Sequence, residues 1–438
     1  MSANAGRPLL GLIEGFYGPP WTWAERDRMI DFLAAHGFDL YVYAPKDDPL
    51  HRARWRDPLP EPELVRFDRL ARRAAVAGVE FSYGLSPIDL GFGDRSGVEV
   101  VVRKCLQLAA RGVSSFGLLF DDLPVDLPPS ADERTEAARW QGSVANEVLR
   151  AVRESGAGGR FLFCPTEYCS SVPTPTPYLR TLGETLEAGI EVFWTGPQVC
   201  SHTITSSDLT AVTEGLQRRP LLWDNYPVND GEMRWDPHIR PLRGRGADLP
   251  GACSGIVANG AIEAEAAKIA LHTFAAYWRD PSGYDPETAW GPALTAVAGD
   301  AGVAAALRVL GELASRSPIE PGQEPPVPWL EAFWTRWETV NERDAATTEV
   351  EAHLERLSDA AVHLIAAAER RPLPREMEQW ARKLAAWVET ARSALGVMRG
   401  RSDPMEVAAR LERTLAMPHR VSDGRFEAFV RRCLDFHE

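Results

Sequence analysis

The sequence predicts a closed (β/α)8 barrel of the TIM type followed by a C-terminal α-helical bundle domain. Eight short apolar runs recur within about 280 residues, the usual length of such a barrel. Amphipathic stretches separate the runs, and strands that alternate with helices favour a parallel sheet. After a proline-rich junction at 317–328 the pattern is only helical. We therefore expect a barrel at 1–295 and a helical bundle at 296–438.

The predicted strands are apolar almost throughout, as strands buried on both faces of a parallel sheet should be. An open, doubly wound sheet is the alternative, but it does not need eight units, and no GxGxxG motif opens the first helix. The eight runs are 9–18, 39–46, 79–87, 114–122, 160–168, 190–197, 219–225 and 254–260.

Helical periodicity predicts the segments between the strands and the bundle that follows. In 22–37, apolar residues from Met29 to Leu33 share one face, Thr22 is a suitable N-cap, and Gly37 is a suitable stop. Steps of three and four residues predict core-facing stripes in the bundle. The further predicted helices are 62–78, 98–112, 262–278, 350–365 and 377–398.

Composition excludes several classes of protein. The 438 residues are 45% hydrophobic and 25% charged, which is ordinary for a globular protein, and the formal net charge is −14. Lys and Arg are scattered without a basic run, so we expect no nucleic-acid partner. We find no apolar segment of membrane-spanning or signal-peptide length, so we expect no membrane partner and a cytoplasmic location. The six cysteines lack zinc or redox spacing and are expected to be reduced.

Polar side chains follow seven of the eight predicted strands. Barrel enzymes build their active sites on the loops that follow the carboxyl ends of the strands, so these residues should meet at one rim. The strand starts show no comparable set. The polar ends are the EGFYG segment from Glu14, Lys46-Asp47-Asp48, Asp121-Asp122, Thr166-Glu167-Tyr168, Trp194-Thr195, Asp224-Asn225 and Asn259.

The residue types at this rim suit a sugar substrate. The sequence has no HExxH motif, histidine cluster, cysteine pair or GxSxG motif, so we expect neither a metal nor another cofactor. What remains is carboxylates, amides, one lysine and aromatic rings, and paired carboxylates are typical of glycoside hydrolysis. Aromatic faces can stack on a sugar ring while carboxylates and amides hydrogen-bond its hydroxyls.

Asp121 and Asp122 are adjacent, with Cα atoms about 3.8 Å apart, so they cannot flank a glycosidic bond from opposite sides. Their arrangement fits one protein acid and one helper for a nucleophile supplied by the substrate's own 2-acetamido group. Two close like charges should also raise the pKa of one carboxyl and so supply a protonated acid.

Several ordered motifs resemble those of glycoside hydrolase family 84, the β-N-acetylglucosaminidases that include the protein O-GlcNAcases. The resemblance covers about residues 8–280, with one departure, because Gly260 follows Asn259 where a proline would be expected. The motifs are EGFYGPPWT, YVYAPKDDPLHRARWR, FDD, LFCPTEYC, WTGP and WDNYPVND.

The resemblance implies roles for the matching residues. Asp121 would orient and polarise the acetamido group, while Asp122 would be the general acid and then the base for water. Tyr168 would hydrogen-bond the forming ring. Trp223, Thr195 and Cys164 would line the pocket for the acetyl methyl, although simple core packing is an alternative for Cys164. The expected ligands of the sugar hydroxyls or acetamido carbonyl are Gly15, Lys46, Asn225, Asp230 and Asn259.

These residues predict a retaining exo-β-N-acetylglucosaminidase that hydrolyses terminal β-linked N-acetylglucosamine by substrate-assisted catalysis through an oxazoline. One alternative is a non-catalytic protein that binds N-acetylglucosamine. Another is a Mg²⁺-dependent barrel lyase or isomerase that uses Asp121, Asp122, Glu167 and Asp230. The expected substrate is a carbohydrate or an O-GlcNAc-modified peptide, and the helical domain is a candidate surface for a homodimer.

Overall fold

The computed structural model describes residues 8–123, 130–314, 316–320, 324 and 327–436. Eight parallel strands close into a barrel in sequence order, and β8 pairs with β1. The predicted fold class is therefore confirmed. The strands are β1 Leu9–Glu14, β2 Leu40–Tyr43, β3 Glu80–Leu85, β4 Ser115–Leu119, β5 Phe161–Cys164, β6 Ile190–Trp194, β7 Leu221–Pro227 and β8 Gly255–Asn259.

Of the helices that connect the strands, the four predicted at 22–37, 62–78, 98–112 and 262–278 begin and end close to their predicted limits. Thr22 forms a capping box with Glu25, and Gly78 ends the second helix in a left-handed conformation. The helices of this part are α1 Trp23–Ala35, α2 Glu61–Ala77, α3 Arg95–Ala109, α4 Ala131–Glu154, α5 Pro177–Thr185, α6 Thr210–Leu216, α7 Leu249–Ala252 and α8 Ala264–Arg279.

The interior of the barrel is filled by buried side chains that come from several different strands. β1 and β2 are buried at every position, in agreement with a sequence that is apolar except for Glu14 at the end of β1. Ile13, Val42, Leu162 and Val257 belong to one buried cluster, and Tyr168 packs against it. The carboxyl ends of the strands thus extend from a rigid, packed core.

A second unit is helical and consists of Glu232–Pro241 and the chain from Glu287 onward. The short segment Glu232–Pro241 follows β7 in sequence but packs with these helices. Trp290 donates its indole N–H to the Ile239 carbonyl at 2.7 Å, and Arg420 pairs with Asp236 at 2.6 Å. The helices are α9 Pro286–Ala298, α10 Ala301–Leu313, α11 Pro328–Trp337, α12 Arg343–Ala368, α13 Pro372–Met398, α14 Pro404–Leu415 and α15 Asp423–Asp435.

The predicted apolar stripes form the core of this unit. Trp380, Leu384 and Trp387 of α13 are buried, as are Val350 and Leu354 of α12. The predicted division at residue 295 falls inside α9 and stays a prediction. Residues 321–323, 325 and 326 of the proline-rich junction lie outside the described residues. Among the helices that are described, none is both long and apolar enough to cross a membrane.

Candidate active site

One open pocket at the carboxyl ends of the strands contains every site residue predicted from the sequence. It has about 490 Å³ of empty volume. Four further residues line it that the prediction did not include: Tyr17, Val199, Cys200 and Val228. The predicted residues are Gly15, Lys46, Asp121, Asp122, Cys164, Tyr168, Thr195, Trp223, Asn225, Asp230 and Asn259.

Asp121 is held by a buried ion pair. Only 5% of its surface is exposed, and its Oδ2 accepts a hydrogen bond from the Lys46 ammonium group. The same ammonium lies 5.5 Å from the centre of the Trp223 ring. Asp121 Oδ1 is also buried, and within the described residues it has no hydrogen-bond donor. Since an unsatisfied buried acceptor costs free energy, this oxygen is suited to a donor on a ligand.

Asp122 has a different environment, although it is the next residue. Its Oδ1 accepts from the Tyr168 phenol at 2.7 Å, its Oδ2 from the Tyr17 phenol at 3.0 Å, and its carbonyl from Arg52 at 2.6 Å. Its backbone is left-handed, with φ of 48°. Neighbours on an extended strand point to opposite faces, so this conformation is what directs both carboxylates into one pocket.

The pKa of Asp122 lies below its ordinary value. Burial alone would raise the pKa, but the charge of Lys46, the phenols of Tyr168 and Tyr17, and the charge of Arg52 together outweigh it. The sequence led us to expect a raised pKa for one carboxyl of the pair, and Asp122 is not that carboxyl in this arrangement. The sequence shows the neighbouring carboxylate, but it does not show the donors that the folded barrel brings around Asp122.

Tyr17 connects two carboxylates across the pocket. Its backbone N–H donates to Asp230 Oδ2 at 2.8 Å, while its phenol donates to Asp122. Burial raises the pKa of Asp230, partly opposed by the Tyr17 N–H. Tyr17 lies in the EGFYG segment after β1, so its position at a strand end was a usable signal.

Two asparagine side chains form a hydrogen-bonded chain along one wall. Asn259 Oδ1 accepts from the Gly15 N–H at 3.0 Å, and Asn259 Nδ2 donates to Asn225 Oδ1 at 2.9 Å. Asn225 Nδ2 in turn donates to the Val199 carbonyl at 2.7 Å. A Cβ on Gly15 would lie 2.6 Å from Trp223 Cζ2, so only glycine fits there. This series of hydrogen bonds fixes the orientation of the Asn225 and Asn259 amides at the pocket.

Cys164, Thr195 and Trp223 form a compact wall and are each at most 3% exposed. The Thr195 hydroxyl donates to the Gln198 carbonyl at 2.9 Å, which occupies its donor away from a ligand. Burial raises the pKa of Cys164 well above its usual value, so the thiol is neutral. A neutral thiol beside an indole is a surface suited to a small apolar group.

Several polar strand ends support the site and do not line it. Asp224 is fully buried and pairs with Arg245 at 2.6 Å, and Glu14 accepts from Arg26 and from the Trp21 N–H. Asp47 accepts from the Gly18 N–H at 3.0 Å. These carboxylates fix the end of β7, which carries Asn225, and the loops that carry Lys46 and Tyr17. In the part of the chain that the structure describes, no three His, Cys, Asp or Glu side chains are grouped as metal ligands.

Gly260 has a local reason to be glycine. Its N–H donates to the Ile13 carbonyl at 2.9 Å, a bond that proline cannot make. A Cβ at this position would lie 2.8 Å from the Trp21 ring. Glycine therefore replaces the expected proline because Trp21 packs against residue 260 and the N–H of this residue is needed. The Asn259 side chain still reaches the pocket.

Comparison with known proteins gives concordant results. A family model described as beta-N-acetylglucosaminidase matches residues 10–312. Protein O-GlcNAcase from Rattus norvegicus and from Mus musculus is 36% identical over 284 residues, which are 64% of this chain. The matched region is only 31% of those proteins, so the chain spans about a third of their length.

Solved structures resemble most of the chain. A mutant of the Thermobaculum terrenum O-GlcNAc hydrolase has a TM-score of 0.87 and 30% sequence identity, covering 97% of this chain and 94% of that one. CpGH84B has a TM-score of 0.81 and covers 98% of this chain and 77% of that one. At 24% identity, the second likeness shows the shared fold alone.

Proposed function

This chain belongs to the beta-N-acetylglucosaminidase family, and on that premise we propose that it is a retaining exo-β-N-acetylglucosaminidase acting by substrate-assisted catalysis. The acetamido oxygen of the bound sugar attacks the anomeric carbon while Asp122 protonates the leaving oxygen. An oxazoline forms, and the leaving group departs as an alcohol. Water then opens the oxazoline as Asp122 takes back its proton, so that configuration is retained.

The main support for this proposal is the environment of Asp121. Its buried Oδ1 has no donor among the described residues, while Oδ2 is fixed by Lys46. An acetamido N–H would satisfy this oxygen. That bond would also increase the electron density on the acetamido carbonyl, which is the nucleophile. A residue that only filled the core would have no use for a charged, unsatisfied oxygen at the edge of a pocket.

The apolar wall gives further support. Cys164, Thr195 and Trp223 line the same pocket as Asp121 and present a surface of suitable polarity for an acetyl methyl. Packing of the methyl there would turn the acetamido group towards the anomeric carbon. Such positioning converts a bimolecular attack into an intramolecular one, which lowers the entropic part of the barrier.

The experiment is turnover of an aryl β-N-acetylglucosaminide, with the anomer of the first product identified by NMR. We expect hydrolysis with retention and no turnover of the analogue with a free amine at C2. Inversion, or equal turnover of the amine analogue, would contradict the mechanism. Activity that is lost with EDTA and restored by Mg²⁺ would favour the lyase or isomerase alternative, and binding without turnover would favour the non-catalytic one.

Substitution of Asp122 tests its proposed role as general acid separately from the role of Asp121. Asp122→Ala should reduce kcat/KM about 10²–10⁴-fold for a poor leaving group but much less for an activated aryl group, because only the poor leaving group needs protonation. Asp57→Ala is a matched control, since that side chain is 53% exposed and lies outside the pocket. An equal loss of activity on both substrates would contradict the role of Asp122 as acid.

We further propose that the leaving group is a peptide carrying O-linked N-acetylglucosamine, as the names of the similar proteins suggest. A second cleft of about 1230 Å³ empty volume begins at Asp122 and Tyr168 and continues past Glu167 and Val172. The two clefts share Asp122 and Tyr168, so the second is open to the part of a substrate that extends beyond the sugar. The test is a comparison of kcat/KM for a glycopeptide and for a chitobiose-type disaccharide. A higher kcat/KM for the disaccharide would refute the proposal that the leaving group is a peptide.

Location and assembly also remain proposals. Six unpaired cysteines support a reducing, cytoplasmic compartment, which cell fractionation would test. A homodimer through the helical unit is supported only by exposed apolar side chains there, such as Met405 and Phe436. Sedimentation analysis that found a monomer at micromolar concentration would reject it.

A further inference from the structure

Both carboxylate oxygens of Asp122 are occupied by phenols. Tyr168 donates to Oδ1 and Tyr17 to Oδ2. Burial and the charge of Asp122 raise the pKa of Tyr17 above its usual value, so its phenol stays protonated and remains a donor. Donors to a carboxylate favour the ionised form. A general acid must instead carry a proton directed at the leaving oxygen.

Of the two phenols, that of Tyr17 belongs to the more exposed residue, whereas Tyr168 packs against the buried cluster of the barrel. Its backbone is fixed, because its N–H binds Asp230 and the next N–H, of Gly18, binds Asp47. Its side chain extends over the pocket and Tyr17 is 39% exposed. Apart from Asp122, its ring is accompanied by the Arg52 guanidinium group, 5.6 Å from the ring centre. Rotation about χ1 would release the phenol without disturbing the loop.

We propose that Tyr17 is a positioning residue that keeps Asp122 ionised in the unliganded enzyme, and that the leaving group of a bound substrate displaces its phenol. Asp122 then takes up a proton from solvent, gives it to the leaving oxygen and takes another from the attacking water. It releases that proton to solvent when the product leaves and the Tyr17 phenol returns, so no proton is gained or lost over the cycle. The displacement rests on the proposed hydrolase function. The proposal that Tyr17 keeps Asp122 ionised in the free protein does not depend on that function.

Other charges also act on Asp122, and the test has to leave them in place. The cations near Asp122 are Lys46 and Arg52, whose charges lower its pKa, and Arg134, which lines the adjoining cleft. The acidic groups are Asp121, Glu167 and Asp230, and the thiols are Cys164, Cys169 and Cys200. Tyr17→Phe removes one hydroxyl and changes none of these groups.

The first test is a titration of the free protein. Carboxyl ¹³C NMR of aspartate-labelled protein follows Asp122, whose resonance is identified by its loss in Asp122→Asn. In Tyr17→Phe we expect the midpoint to rise by about one pH unit, the usual effect of one hydrogen bond to a carboxylate. Tyr284→Phe is the control, because its phenol donates to the Leu242 carbonyl outside the pocket. An unchanged midpoint in Tyr17→Phe would overturn the proposal.

The second test compares two pH profiles on a substrate with a poor leaving group. The basic limb of kcat/KM reports the acid in the free enzyme, and that of kcat reports it in the complex. In the wild type we expect the basic limb of kcat to lie about one pH unit above that of kcat/KM. In Tyr17→Phe we expect the two limbs to coincide. Coincident limbs in the wild type would refute displacement by substrate. A complete lack of turnover would instead refute the hydrolase function, while the NMR titration would still decide whether Tyr17 holds Asp122.

Discussion

The ion pair between Lys46 and Asp121 allows the most direct test of how the site is held together. The two side chains are 2% and 7% exposed, so neither charge is compensated by water. Lys46→Met keeps the approximate length of the side chain but leaves a buried carboxylate without its partner. Loss of one partner of a buried pair costs about 3–5 kcal/mol. We expect the free energy of unfolding to fall by that amount.

The assay is denaturant unfolding followed by tryptophan fluorescence, with Arg73→Met as the control. Arg73 pairs with Asp31 at 2.6 Å, but the two side chains are 40% and 60% exposed, so the control should cost about 0–1 kcal/mol. The double variant Lys46→Met with Asp121→Asn removes both charges and should recover most of the stability, yet it should stay inactive. A loss below about 1 kcal/mol in Lys46→Met, or no recovery in the double variant, would refute the assignment of a buried, mutually dependent pair.

Two further predictions concern the pocket wall and its supporting loop. Gly15→Ala places a Cβ 2.6 Å from Trp223 Cζ2 and 3.1 Å from Asn259 Oδ1. We expect kcat/KM to fall at least about tenfold, because small misplacements of groups in an active site have large effects on rate. An unchanged kcat/KM would show that Trp223 and Asn259 can move to accommodate the methyl group. Burial raises the pKa of Glu263 above its ordinary 4.5 in spite of the Asn229 amide, so the folded chain loses stability as pH rises through that raised value. Glu263→Gln should therefore raise the thermal midpoint at pH 8 but not at pH 4, and an equal change at both pH values would contradict this linkage.

The barrel was predictable because its signals are local. Strands buried on both faces have to be apolar over most of their length, and β1 and β2 are, apart from Glu14 at the end of β1. Helix limits such as Thr22 and Gly78 depend on caps that a few neighbouring residues determine. The carboxyl ends of parallel strands necessarily meet, so the rim residues could be grouped before their contacts were known.

What the sequence did not predict depends on contacts between distant residues. The pKa of Asp122 is set by Lys46, Tyr168, Tyr17 and Arg52, which lie on three other loops. Asp224 and Asn225 are adjacent at the end of β7, yet Asp224 faces Arg245 while Asn225 faces the pocket. Segment 232–241 follows a barrel strand but packs with the helical unit. Neither periodicity nor spacing contains this information.

The different roles proposed for two adjacent aspartates follow from the backbone between them. A left-handed residue other than glycine costs about 1 kcal/mol or more, and such strain persists only where surrounding contacts enforce it. At Asp122 those contacts are the phenols of Tyr17 and Tyr168 and the Arg52 guanidinium group on the carbonyl. The contacts that stabilise the unusual backbone are therefore among those that keep the carboxyl ionised, together with the charge of Lys46. In the proposed mechanism, a substrate that displaces the Tyr17 phenol would change the proton affinity of Asp122, while the other two contacts would still hold its position.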